Sequence, residues 1–168
     1  AMLQTGEADV IYPVPTTDVG QIEGDPSIII DVAPATTYRY VTLNTEWALP
    51  DGRKPFADKR VRQAFNYAFD SEAYAKVVFN GYAKEPTSIF SDSIRFFAEQ
   101  TPYKPDLEKA KALMKEAGFE DGFDVELIVD NTTIEQKGAV FVQQQLSQIN
   151  VNVKVLPNES TANAEKTS

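Results

Sequence analysis

Between Asp58 and Phe69 the apolar side chains Val61, Ala64, Phe65, Ala68 and Phe69 recur at i, i+3, i+4, i+7 and i+8. That spacing lines one face of an α-helix and no face of a strand, so the chain must supply a layer on which this helix lies. Three further helices follow from similar signals. Asp70 is placed to cap a helix running to Phe79, and Asn80-Gly81 supplies a left-handed stop. A third begins near Pro105, repeats Leu107, Ala110, Leu113, Met114 and Ala117, and ends at Gly118 with Phe119 following. The fourth, about Thr133 to Gln148, turns Ile134, Phe141, Val142, Leu146 and Ile149 inward.

Strand signals alternate with these helices. Phe123 to Val129 follows the Asp121-Gly122 turn, and Val151 to Leu156 follows the last helix. In the first third of the chain, Ala8 to Val14, Ser27 to Val32 and Tyr38 to Asn44 read as strands separated by Pro and Gly turns. The run Ile28-Ile29-Ile30 predicts a strand buried on both faces. In Tyr38 to Asn44, alternation puts Tyr38, Tyr40, Thr42 and Asn44 on one face and Val41 and Leu43 on the other, the core face. Residues 82–103 read as a long irregular crossing with a short turn around Ile94 to Ala98. The expected class is α/β, a mixed sheet flanked by helices. Residues 158–168 contain no large apolar side chain and are expected to form a polar tail or loop.

Composition removes several chemistries. The 168 residues include no His and no Cys, which leaves no imidazole base, no thiolate nucleophile and no metal site built from either. A net charge of -9, with only sixteen Lys and Arg and no basic block, argues against nucleic acid as a partner. No apolar run approaches the roughly 20 residues of a membrane helix. Ala1 to Thr5 lacks the charged-then-apolar pattern of a signal peptide, so an export signal is expected upstream.

Several stretches, taken in order, resemble one family. They are Gln4-Thr5-Gly6-Glu7-Ala8-Asp9-Val10-Ile11, Tyr40-Val41-Thr42-Leu43-Asn44 and Pro55-Phe56-Ala57-Asp58-Lys59-Arg60-Val61-Arg62-Gln63-Ala64-Phe65-Asn66-Tyr67-Ala68-Phe69-Asp70. Asn80-Gly81-Tyr82-Ala83, then Lys109 to Phe119, then Gly122-Phe123-Asp124-Val125-Glu126-Leu127 continue the series. Together they resemble the large extracytoplasmic solute-binding proteins of ABC importers, of the peptide, dipeptide and nickel type (bacterial extracellular family 5). The resemblance implies a partial lobe of a two-lobed periplasmic-binding-protein fold of type II. On that plan residues 1–36 are the end of the first lobe and the approach to the hinge, and residues 37–157 are the first part of the second lobe. It also implies a peptide or peptide-like small solute, an ABC permease as membrane partner, and no cofactor. The implied location is extracytoplasmic, in the periplasm or as a lipid-anchored surface protein. As a fragment, the chain is expected to bind weakly or not at all.

The resemblance points to Tyr40, whose position is similar to a ligand-facing tyrosine near the family's hinge. Tyr38 and Thr42 share its face, and aromatic and hydroxyl groups there suit an enclosed solute. The competing reading is a sheet face covered by a helix. Ser88 and Phe90, with Thr87 and Ile89, lie in the long crossing that borders the cleft in the family; a plain surface loop is the alternative. Asn44 reads as a cap and Trp47 as a cover for the edge of the core. Arg60 and Arg62 are expected to pair with Asp58, Asp70 or nearby Glu residues. Asp121, Asp124, Glu126 and Asp130 read as a solvated strand face. Their alternative use is a carboxylate-based hydrolase, which needs two acids converging in a deep pocket. A solute-sensing domain of a regulator is the other alternative.

Overall fold

The computed structural model describes residues 2–33, 35–92 and 94–158. The tail expected at 158–168 lies outside the described residues except for Asn158. The elements, in order, are α1 (Met2–Thr5), α2 (Lys59–Ala68), α3 (Ser71–Phe79), α4 (Leu107–Glu116), β1 (Phe123–Asp130), α5 (Thr133–Ser147) and β2 (Val151–Asn158), with short 3-10 turns at Val19–Gln21 and Pro55–Ala57.

Each main helix starts where a side chain can satisfy its free amides. The carboxylates of Asp58, Asp70 and Asp106 accept from the amides of Arg60, Ala73 and Lys109, and the Thr132 hydroxyl accepts from Glu135. Asp106 as cap places Pro105 just outside α4, two residues before the first helical position, Leu107, and not at it as expected. Asn80, at φ 52°, stops α3 in the left-handed region, and Gly118, at φ 79°, does the same after α4.

The sheet is narrower than expected. β1 and β2 pair in parallel from Phe123 opposite Val151 to Asp130 opposite Asn158, with α5 as the crossover packed on both. Against this unit lie α2 and α4, and the core joins Phe56, Val61, Ala64, Phe65, Ala68, Ala110, Met114, Phe119, Phe123, Val142, Leu146, Ile149, Val151 and Val153. The aromatic centre is tight. Phe56 meets Phe65 and Phe123 edge-on at 5.4 and 5.7 Å, and Trp47 covers Phe56 at 5.6 Å. Trp47 is therefore half-buried at the edge of the core, as expected.

The three strands expected before residue 45 do not form among the described residues. Ala8 to Val14, Ser27 to Val32 and Tyr38 to Asn44 make no ladder among the described residues, and their neighbourhood is held by turn bonds such as Asp18 to Pro15 and Ile28 to Asp25. A strand exists only with a partner, and extended backbone without one leaves its side chains in solvent. Ile29 is accordingly 93% exposed although Ile28 and Ile30 are half-buried, and Val41, expected in the core, is exposed. Only Leu43 of that face reaches the core. The mixed sheet thus reduces to two parallel strands among the described residues.

Candidate functional site

Residues 37–44 form no regular element, and Arg39 meets Glu135 at the start of α5. The Tyr38 and Tyr40 rings are neighbours, with centroids 5.6 Å apart and planes tilted by 38°. Both are exposed, Tyr40 to 75%. Thr42 is exposed too. Arg39, between the two tyrosines in sequence, forms an ion pair with Glu135, in the first turn of α5. Among the described residues no helix covers the two rings.

Glu135 is held in place by its own helix. Thr132-Thr133-Ile134-Glu135 is a Thr-x-x-Glu start, and the Glu135 amide donates to the Thr132 hydroxyl at 3.3 Å. Beside the pair stands Tyr74, whose ring packs against Phe69, Phe79 and Phe141. Burial pushes the Tyr74 phenol above its ordinary value, and the nearby Arg39 charge opposes that rise.

The long crossing approaches the same segment at one point. The Ser91 hydroxyl donates to the Ala35 carbonyl at 3.5 Å, which brings residues 87–91 beside the approach to the tyrosines. Within this loop the Ser88 hydroxyl accepts from the Phe90 amide at 3.4 Å, and the Phe90 ring is exposed. No ring contact joins Phe90 to Tyr38 or Tyr40 among the described residues. The expected short turn is present, with the Phe97 amide donating to Ile94.

The remaining candidates have structural work. The Asn44 side chain accepts from the Glu46 amide, closing a turn at the end of the extended segment. Arg60 pairs with Asp58 at 2.6 Å and donates to the Glu116 carbonyl, tying α2 to α4. Arg62 departs from expectation: its guanidinium donates to the carbonyls of Phe56 and Ala57 at 2.7 and 3.0 Å, so backbone is its hydrogen-bond partner. On the sheet, Asp124 accepts from Asn152 and Glu126 pairs with Lys154 across the ladder, both exposed, so these acids do not converge in a pocket. An open groove of about 280 Å³ gathers Asp70, Glu72 and Glu85, but Asp70 caps α3 and Lys104 lies between the two glutamates at 3.7 and 2.8 Å. Among the described residues no group of three or more acids is arranged to hold a metal ion.

Sequence reasoning missed Arg39 and Glu135. The only local signal was the Thr-x-x-Glu start of α5, which fixes Glu135 in a first helical turn. Nothing local links the two.

The profile of bacterial extracellular solute-binding proteins, family 5 (middle), matches residues 1–168. The glutathione-binding protein GsiB of Pectobacterium atrosepticum is 37% identical over 156 residues, 92% of this chain and 29% of that protein. Among solved structures, the periplasmic binding protein DppA of Helicobacter pylori in complex with the peptide STSA superposes with TM-score 0.84 at 33% identity, over 99% of this chain and 31% of that one. NikA of Brucella suis in complex with Fe(III)-EDTA gives TM-score 0.84 at 22% identity, over 98% and 36%, a likeness of fold alone. The chain therefore spans about 29% of the length of the curated relatives it matches.

Proposed function

Because the chain belongs to family 5 of the bacterial extracellular solute-binding proteins, we propose that it forms part of a protein that captures a peptide or peptide-sized solute outside the cytoplasm and delivers it to an ABC permease. Residues 1–36 close one lobe, residues 37–157 begin the other, and the Tyr38–Tyr40 face, with Ser88 and Phe90 nearby, contributes to the wall of the cleft between them. The observation that carries this reading is the exposed tyrosine pair on backbone that makes no ladder. GsiB, named for glutathione, and DppA, solved with a tetrapeptide, support a ligand of peptide class.

Capture of this kind is a population shift. Solute contacts made to both lobes favour the closed state, and a chain holding only a part of each lobe makes only some of them. Calorimetric titration with glutathione and with Ser-Thr-Ser-Ala tests the reading in two steps. The full-length protein is expected to bind at least one of the two, and the 168 residues alone to bind weakly or not at all. Tight binding by the 168 residues alone overturns the two-sided cleft, and unchanged binding in Tyr40→Ala of the full-length protein removes the tyrosine face from it.

A further inference from the structure

Asn80 is the only Asn of the 168 residues that is followed by Gly. In a flexible chain that pair reacts with itself. The Gly81 backbone nitrogen, once a base has taken its proton, attacks the Asn80 side-chain carbonyl carbon, and Gly has no Cβ to obstruct the approach. The N–Cγ bond forms, the Cγ–Nδ2 bond breaks, and the amide nitrogen leaves as ammonia. Water then opens the five-membered imide at one of its two carbonyls. Opening at Cγ gives Asp on an unchanged backbone; opening at the backbone carbonyl gives an isoaspartyl link, with the chain routed through Cβ and Cγ. Either way one water is consumed and one ammonia released.

The end of α3 opposes each part of that reaction. Ring closure needs the Gly81 nitrogen eclipsed with the Asn80 Cβ about the Cα–C bond, but at φ 52° and ψ 31° it stands nearly opposite. The Gly81 amide donates to the Ala75 carbonyl at 3.1 Å, so the proton that must be lost is engaged. The Asn80 side-chain amide donates to the Thr16 carbonyl at 3.0 Å, which holds the group that must leave. The backbone conformation and the Ala75 bond belong to residues 75–81 alone, on a helix end seated through buried Ala75 and Val78. They therefore accompany α3 into the longer protein. We propose that Asn80 is a deamidation site held closed by the C-cap of α3, so that the reaction proceeds only through opening of that cap. The product does not fit the seat it leaves. A carboxylate in place of the Nδ2 donor faces the Thr16 carbonyl and the negative end of the α3 dipole, and an isoaspartyl link lengthens the main chain at the left-handed residue. A reversible opening of the helix end is thereby made permanent.

The test uses the full-length protein in mildly alkaline buffer, native and unfolded in urea, with each Asn-containing peptide of residues 1–168 followed by mass spectrometry. In urea Asn80 is expected to deamidate before the others, giving both Asp and isoaspartate. In the native protein its rate is expected to fall by about tenfold or more, and by the same factor as hydrogen exchange at the Gly81 amide, because one opening frees that N–H for both. Val78→Ala, which leaves a gap beneath the cap, is expected to raise the native rate and leave the rate in urea unchanged. Asn80→Asp, the product without the reaction, is expected to lower the thermal midpoint more than Asn80→Gly, which keeps the left-handed stop. Another Asn reacting first in urea overturns the site. Equal native and urea rates, a fast native reaction beside a Gly81 amide protected from exchange, or a native rate that Val78→Ala does not move overturn the closed cap. A midpoint of Asn80→Asp no lower than that of Asn80→Gly overturns the misfit of the product.

Discussion

Gly122 and Asn150 meet backbone to backbone at the point where β1 and β2 begin. A Cβ placed on Gly122 would collide with the Asn150 carbonyl and lie 2.8 Å from the Asn150 Cβ. Both residues have positive φ, 74° and 61°, and the Asn150 side chain donates to the Glu120 carbonyl at 3.0 Å, so the two turns are clasped. Gly122→Ala is therefore opposed twice, by conformation and by space. It is expected to destabilise the protein by about 2 kcal/mol or more, where the left-handed backbone alone accounts for roughly 1–2. Thermal unfolding should show a midpoint lower by roughly 4–8 °C, at about 2–4 °C per kcal/mol for a chain of this size. An unchanged midpoint would refute the clasp.

Gly138 answers to a different constraint. It lies inside α5, where Ala is ordinarily better than Gly by roughly 1 kcal/mol. A Cβ there would lie 2.7 Å from the Tyr74 hydroxyl oxygen, while the nearest ring carbons stand at 3.5 Å. Gly138→Ala is expected to destabilise the protein with Tyr74 present and to stabilise it in a Tyr74→Phe background. A double-mutant cycle by urea denaturation checks this, with a predicted coupling of about 1 kcal/mol or more. Additive effects would show that the hydroxyl is not what excludes the methyl.

Acid sensitivity should be traceable to Asp58. The Arg60 side chain hydrogen-bonded to its carboxylate, aided by the Arg60 amide and opposed by partial desolvation, holds Asp58 below the ordinary aspartate value. A carboxyl depressed in the folded state contributes stability that is complete above its unfolded pKa of about 3.9 and fades as pH falls through the lower folded value. Asp58→Asn keeps a capping side chain but removes the titration. Its midpoint should fall less steeply below pH 4 than that of the wild type, and parallel curves would count against this assignment.

Met114 is 1% exposed, in the seam between α4 and α2, whereas Lys111 on the same helix faces solvent. Met114→Ala should cost about 2–5 kcal/mol through lost transfer energy and the cavity left behind. Lys111→Ala should stay within about 0.5 kcal/mol. Urea midpoints of the two variants would separate them, and a small effect at Met114 would mean that the seam closes around the gap.

What the sequence disclosed follows the range of the forces involved. The stripe of α2, the caps at Asp58 and Asp70 and the stops at Asn80 and Gly118 are settled by residues three or four positions apart, and all of them appear in the structure. The β1–α5–β2 unit is legible because its strands are apolar and flank a periodic helix. Tyr38, Arg39 and Val41 can be given alternating sides but not a covering layer, since burial of a strand face depends on a partner that no local pattern names. That is why Val41 and Ile29, apolar residues with an expected place inside, are exposed. The Arg39–Glu135 pair is hidden for the same reason: it joins segments distant in sequence, and charge alone does not choose among the available acids.

The parallel pairing has a kinetic corollary. Residues opposed across the two strands are only 28 positions apart, as at Asp124 and Asn152, and much of the intervening chain is the helix that packs on them. Closing so short a loop loses little chain entropy, so contacts here are local by the standard of sheet proteins. The stretch from Phe123 to Asn158 is thus the part of the chain equipped to fold first.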